Sequence, residues 1–227
     1  MTTYMQHQRS LALRLKRTQA RPRLGIYAGA FDPVHAGHIA FALQAMQVAR
    51  LDEVIFVPER RPRHKPGVEH YAHRVAMLRR ALRPHPGLTS LEMVDKHFSV
   101  VRTLPHLRAI FPKAELVFLM GSDTALSLPS WPVAAYLLRS SELVVGVRSE
   151  HTRKAVEAAI RDWPELPLAL TVIDSYAPDV SSSAIRTALR ANRHAKGLLT
   201  SVQRYARQEW LYVSPLMPRS HQSQPSI

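Results

Sequence analysis

Two histidines three residues apart stand in a segment otherwise made of glycine, small apolar residues, one carboxylate and one proline: Gly29-Ala30-Phe31-Asp32-Pro33-Val34-His35-Ala36-Gly37-His38. At i and i+3 near a helix start, His35 and His38 turn ring nitrogens to one side and donate hydrogen bonds to phosphate oxygens, which suits charge building on a pentavalent phosphorus. Gly29 lets the backbone leave a strand without a side-chain clash. Gly37 lets a phosphate approach the first helical turn, whose free N–H groups favour anions. The plainer reading is a turn at Asp32 and Pro33 followed by ordinary polar residues. A second His-x-x-His pair, His70 and His73, lies beside a basic loop with no glycine-rich turn and reads as surface. Neither pair has a third ligand at metal-site spacing, so no protein-held metal is expected.

A second phosphate-binding candidate comes late, at Val180-Ser181-Ser182-Ser183-Ala184-Ile185-Arg186. Serine hydroxyls at a helix start cap the backbone or meet phosphate, and a guanidinium offers a planar fork with permanent charge. Taken alone, the segment reads as a serine-capped helix with an exposed arginine. Gly121-Ser122-Asp123 follows a strongly apolar run, where Asp123 taken alone reads as a helix cap. The loop at 57–65 carries His64 and Lys65 among prolines and arginines, and alone it reads as a solvated charge run. Trp131 is a flat apolar platform for an aromatic ring if partly exposed, and a core residue if not.

These groups need a scaffold, and the hydropathy pattern supplies one. Strands are expected at 23–28, 53–57, 88–94, 116–120, 143–147 and 168–173. Helices are expected at 39–48, 71–82, 100–110 with an interruption at Pro105, 152–162, 182–192 and 199–210. Strand–helix alternation of this kind predicts an α/β fold, a doubly wound parallel sheet with helices on both faces, whose ligand site lies at the ends of the strands. Residues 1–22 read as a flexible basic extension, 23–213 as the single folded domain and 214–227 as a disordered tail.

The chain has 227 residues, 46% hydrophobic and 21% charged, the balance of a soluble globular protein. Apolar runs are too short to span a bilayer, and no membrane partner is expected. With 0 cysteines there is no disulfide framework, thiolate nucleophile or cysteine-ligated metal. A reducing, cytoplasmic location is the expectation. The net charge of +14 attracts anions, whether phosphorylated small molecules or nucleic acid.

The segment 29–38 resembles the nucleotidyltransferase superfamily whose signature is His-x-Gly-His. More narrowly, it is similar to the nicotinate mononucleotide adenylyltransferases with their Gly-x-Phe-Asp-Pro-x-His-x-Gly-His form. Segment 180–186 looks like their second signature, Ile-Ser-Ser/Ala-Thr-x-Ile-Arg. Gly121-Ser122-Asp123 is similar to their Gly-x-Asp, and His64-Lys65 to the end of their Pro-Pro-His-Lys loop. Leu126-Ser127-Leu128-Pro129-Ser130-Trp131 is similar to their Leu-x-x-Leu-x-x-Trp. The likeness runs from about Leu24 to Val213. It implies a Rossmann-like nucleotidyltransferase fold and transfer of AMP from ATP to nicotinate mononucleotide, with magnesium delivered on ATP. It also implies catalytic roles for His35, His38, Lys65 and Arg186. ATP contacts are expected from Gly29, Ala30, Phe31, Gly37, Gly121, Asp123, Ser182 and Ser183, and acceptor contacts from Asp32, Thr103, Trp131 and Arg102. At 98–104 the chain departs from the family's Ser-Tyr-Thr-x-Asp-Thr-Leu, with Arg102 replacing an acid. That cation suits the carboxylate of nicotinate, or it marks a changed acceptor such as nicotinamide mononucleotide. A non-catalytic nucleic-acid-binding relative is the competing class, and weak nucleic-acid binding through the basic surface is compatible with either.

Overall fold

Continuous apolar runs, rather than alternating ones, belong to strands covered on both faces, and the central strands of this chain are of that kind. In the computed structural model, which describes residues 21–62, 67–148, 150–175, 177 and 179–213, six strands form one sheet. They are β1 Arg23–Gly29, β2 Glu53–Pro58, β3 Leu88–Ser90, β4 Glu115–Gly121, β5 Glu142–Val147 and β6 Leu170–Asp174. Every pairing is parallel. The order is β3-β2-β1-β4-β5-β6, so the direction of winding reverses between β1 and β4. The expected tail at 214–227, most of the basic extension, and His64 with Lys65 lie outside the described residues.

The helices are α1 Ala36–Val48, α2 Tyr71–Leu82, α3 Thr103–Ile110, α4 Ser122–Ser127, α5 Ala134–Arg139, α6 Arg153–Arg161, α7 Ser182–Arg190 and α8 Thr200–Gln208. The period-2 geometry of a strand sends neighbouring side chains to opposite faces. Along β4, Leu116, Phe118 and Met120 therefore join a core with Leu104 and Leu107 of α3, Leu137 of α5 and Val156 of α6. Val117 and Leu119 join another with Phe41 of α1, Met77 and Leu78 of α2 and Val202 of α8. At the strands' N-terminal ends the Arg23 guanidinium bonds Glu142 at 2.8 and 3.0 Å and Glu115 at 2.8 Å, clamping β1, β4 and β5 on the side away from the crevice.

Four expectations need correction. The strand expected at 88–94 stops at Ser90, because β3 is an edge strand paired only at 88–90. Leu91 and Met93 are apolar because the following loop is buried. Pro105 does not interrupt α3: the helix starts at Thr103, which puts the proline in the first turn, where its missing N–H costs nothing. The last strand begins at Leu170 rather than 168. The short α4 and α5, with a 3-10 turn at Leu128–Ser130 between them, have no counterpart in the hydropathy reading. Six residues are too few to show a helical period, and Pro129 and Pro132 break what pattern there is.

Helix α1 sits close to the sheet because β5 has a glycine beneath it. A Cβ at Gly146 would lie 2.7 Å from the Phe41 ring. Gly146→Ala should therefore push α1 outward and lower stability by about 1–3 kcal/mol, the usual cost of overpacking. Urea denaturation of the two proteins checks this, and an unchanged midpoint would show that α1 can move freely.

Candidate active site

The reversal between β1 and β4 leaves the C-terminal ends of these strands without a covering helix, the position where open α/β sheets bind ligands. A cavity of about 980 Å³ opens there. Its floor is the loop that leaves β1 at Gly29. Phe31 adopts a left-handed backbone (φ 49°), uncommon for a bulky residue, and its ring is held edge-on against Tyr27 at 5.4 Å and His38 at 5.2 Å. His35 caps α1.

The two histidines stack, with ring centroids 3.7 Å apart and planes at 31°. The His35 backbone N–H donates to His38 Nδ1 at 3.2 Å. In neutral His38 the proton must then sit on Nε2, making that nitrogen a donor. His35 is buried and its Nδ1 has no hydrogen-bond partner among the described residues. Burial, reinforced by the Arg148 cation, pushes its pKa down to about 3. A Cβ at Gly37 would lie 3.1 Å from the His35 ring and 3.4 Å from the Ala177 carbonyl. The glycine thus permits the histidine stack as well as leaving the helix start open.

The late serine segment closes the cavity from the opposite side. Ser181 caps α7 by accepting from Ala184 N–H at 3.2 Å, and Ser182 Oγ donates to the Pro33 carbonyl at 3.0 Å. Arg186 donates to the Asp32 carbonyl at 2.7 Å and to Ser183 Oγ at 3.3 Å. Two motifs 154 residues apart in sequence are in direct contact. The Asp32 carboxylate, 1% exposed, accepts a 2.6 Å bond from the Tyr212 hydroxyl. Its Oδ2 lies 3.8 Å from Arg186 and accepts no hydrogen bond among the described residues. Burial, and then the Asp32 charge, raise the Tyr212 pKa and keep its proton in place.

At the end of β4, Gly121 and Asp123 line the same cavity. A Cβ at Gly121 would meet nothing nearer than Arg148 Cδ at 3.6 Å, so the space above it is open. Asp123 is half exposed and faces Arg148 at 3.4 Å and His151 at 3.6 Å. The buried Ser122 hydroxyl bonds His151 Nδ1 at 2.9 Å. Trp131 is half-buried in the wall, tilted toward Phe98 at 6.3 Å.

Of the residues expected from sequence, Gly29, Ala30, Phe31, Asp32, His35, Gly37, His38, Gly121, Asp123, Trp131, Ser182, Ser183 and Arg186 all line this cavity. Arg102 and Thr103 do not. Arg102 is exposed and pairs with Asp95 at 3.6 Å, while buried Thr103 bonds Asp95 Oδ2 and the Ser99 N–H, both at 2.9 Å. Lys65 lies outside the described residues. The pair read as surface divides: His70 is exposed, whereas His73 Nδ1 bonds the Tyr205 hydroxyl at 2.9 Å and ties α2 to α8. Sequence reasoning missed Arg148, although a cation directly after the apolar run of β5 was a usable signal. It also missed Arg74, a cation on the apolar stripe of α2 with Val75 and Leu78.

Among the described residues, no three His, Cys, Asp or Glu side chains gather as a metal cluster, and no helix is long and apolar enough to cross a membrane. A sheet that reverses at its centre, with a histidine pair and a serine–arginine helix start facing each other across the reversal, defines an α/β nucleotidyltransferase. A family model described as cytidylyltransferase-like matches residues 26–188. A probable nicotinate-nucleotide adenylyltransferase from Solibacter usitatus is 35% identical over 197 residues, covering 84% of this chain and 99% of the relative. Another from Carboxydothermus hydrogenoformans is 31% identical, covering 75% and 88%. Plasmodium falciparum nicotinic acid mononucleotide adenylyltransferase, solved with NaAD, has the same fold with a TM-score of 0.68 at 18% identity, covering 85% of this chain and 98% of that one. The chain belongs to the cytidylyltransferase-like family and, within it, to the nicotinate-nucleotide adenylyltransferases.

The buried His35 makes stability depend on pH. The unfolded chain protonates this residue near pH 6.5, whereas the folded one keeps it neutral down to about 3. Its contribution is complete above pH 6.5 and declines as pH falls below that value, at up to about 1.4 kcal/mol per pH unit. Urea titrations between pH 6.5 and 5 should show this slope in the wild type and a flatter profile in His35→Asn. Equal slopes would mean that His35 is protonated in the folded state.

Proposed function

We propose that this protein transfers the adenylyl group of ATP to nicotinate mononucleotide, giving nicotinate adenine dinucleotide and pyrophosphate in NAD biosynthesis. The observation that carries the reading is the direct contact of two phosphate-facing motifs across one crevice, through Arg186 to Asp32 and Ser182 to Pro33. The names of the relatives point the same way, and cytoplasmic NAD synthesis suits a chain with 0 cysteines.

The chemistry is an in-line displacement. An oxygen of the acceptor's 5'-phosphate forms a bond to the α-phosphorus as the bond from that phosphorus to the β-bridging oxygen breaks, and its electron pair leaves with pyrophosphate. The attacking oxygen is already anionic, so no protein nucleophile or base is needed. Catalysis of this kind is positioning plus charge stabilisation. His38 contributes a neutral Nε2–H donor, its tautomer set by the bond at Nδ1. His35 stays neutral and contributes a buried nitrogen awaiting a partner; leaving such a group unsatisfied costs roughly 1–3 kcal/mol, which a bound phosphate would recover. Arg186 uses two of its five N–H groups on the protein and retains others for the departing phosphates.

Gly121 gives adenosine room and Asp123 takes ribose hydroxyls, while the exposed face of Trp131 offers a platform for the pyridine ring. Lys65, expected from the family resemblance to join the phosphate contacts, lies outside the described residues. Groups facing the phosphates are imidazole, hydroxyl and guanidinium, which suit phosphate oxygens rather than a hard cation. The site therefore fits magnesium delivered on ATP, where it would neutralise phosphate charge. Exposed Arg83, Arg190, Arg204 and Arg207 support weak, salt-sensitive nucleic-acid binding as a secondary property.

Two variants test the assignment in a pyrophosphate-release assay with products identified by mass. His38→Ala should lower kcat by roughly 10²–10³, the loss expected for one donor to a transition-state oxyanion, with its unfolding midpoint nearly unchanged; normal turnover would sink the role of His38. Trp131→Ala should raise KM for nicotinate mononucleotide about tenfold, equivalent to 1.4 kcal/mol, leaving KM for ATP alone. An acceptor KM that does not move would remove the tryptophan from the site.

A further inference from the structure

Arg74 is 0% exposed and no carboxylate touches its guanidinium among the contacts of the described residues. All its bonds go to backbone carbonyls of three separate segments. Nη1 donates to Ala30 at 2.5 Å, Nη2 to Glu59 at 2.8 Å and Arg60 at 3.1 Å, and Nε to Glu69 at 2.9 Å. Ala30 belongs to the phosphate loop after β1. Residues 59–60 and 69 are the two ends of the segment that joins β2 to α2.

A charge buried in this way is costly unless hydrogen bonds compensate it, which here fall to the four carbonyls. Four of the five N–H donors are used on these carbonyls, so the fork holds the segments at fixed separations. Lysine has three donors radiating from one atom and cannot reach all four carbonyls from the same position. Burial lowers the arginine's pKa, and the charge that opposes this most strongly is the Asp32 carboxylate. Asp32 is also the residue held by Tyr212 and Arg186. The phosphate loop is thus gripped on one side by Arg74 at Ala30 and on the other by Arg186 and Tyr212 at Asp32, with Phe31 between them in a left-handed conformation. A further bond, Glu59 N–H to the Gly29 carbonyl at 2.9 Å, joins the same two segments.

We propose that Arg74 is a positioning residue for nucleotide binding: its buried guanidinium fixes the phosphate loop against both ends of the β2–α2 connection, setting the geometry in which ATP is held. It touches no substrate and acts through the Ala30 carbonyl and the backbone that carries His35. The inference rests on the reading of this crevice as an ATP site, but not on the identity of the acceptor.

The test compares wild type with Arg74→Lys, measuring MgATP affinity by calorimetry, and kcat and KM by pyrophosphate release, well below each protein's unfolding midpoint. The variant should bind MgATP at least fivefold more weakly, with kcat reduced at least fivefold and KM for nicotinate mononucleotide within threefold. A folded variant with a smaller loss of ATP affinity overturns the proposal. So does a loss of kcat with ATP affinity intact, which is what a merely smaller folded fraction would give. If the variant does not fold, the wild type decides. Its Arg74 Nε–H resonance should resist solvent exchange and shift when MgATP is added, and a resonance indifferent to MgATP overturns the proposal. Wild-type ATP binding without turnover on nicotinate mononucleotide would overturn the acceptor assignment alone, since the affinity comparison stands without it.

Discussion

The reversal of strand order between β1 and β4 is the constraint on which the rest depends. Crossovers that go one way from β1 and the other way from β4 cover opposite faces of the sheet, so the helices part at this seam and the strand ends are left open. Any group that emerges from β1, β4 or β5 at their C-terminal ends arrives in the same crevice. Gly29, Gly121 and Arg148 are there for that reason alone. The opposite ends of β1, β4 and β5 carry the Arg23–Glu115–Glu142 clamp, which keeps the seam closed on one side while the other side stays available to ligand.

Around the crevice and in the packing beneath it the dominant effect is desolvation. Asp32, His35, Arg74 and Tyr212 are all nearly removed from water, and each is managed differently. His35 discards its charge. Tyr212 keeps its proton and gives a hydrogen bond to Asp32. Arg74 keeps its charge and spreads it over carbonyl oxygens. Asp32 remains the acceptor for its neighbours. The result is a phosphate loop whose backbone is fixed from several directions before any ligand arrives, the pre-organisation that electrostatic catalysis requires.

Much of this was legible in the sequence. The histidine segment could be read because it places two histidines and two glycines between an apolar run and a helix, and the serine–arginine segment gained its meaning from standing beside the first. The parallel sheet was legible from alternation. What was hidden is instructive. Arg74 lies on the apolar stripe of α2, but its partners could not be read locally, since only tertiary structure brings Ala30, Glu59 and Glu69 around it. Arg102 and Thr103 were aligned with acceptor contacts, yet the structure has them bonded to Asp95 and away from the cavity wall. Leu91 and Met93 mimicked a strand because burial in a loop and burial in a sheet demand the same residues. The short α4 and α5 escaped because helices of this length are fixed by packing rather than by their own periodicity.

The Tyr212–Asp32 bond joins residues separated by 180 positions. A ribosome releases the phosphate loop early, with both histidines in place, but the hydroxyl that fixes Asp32 emerges only after α8 has been made. Until then the loop lacks one of its supports, and Arg186 too is missing for most of synthesis. The order of translation therefore withholds a finished nucleotide site from the growing chain, and the site becomes complete only when nearly all the sequence needed to build its walls has left the exit tunnel.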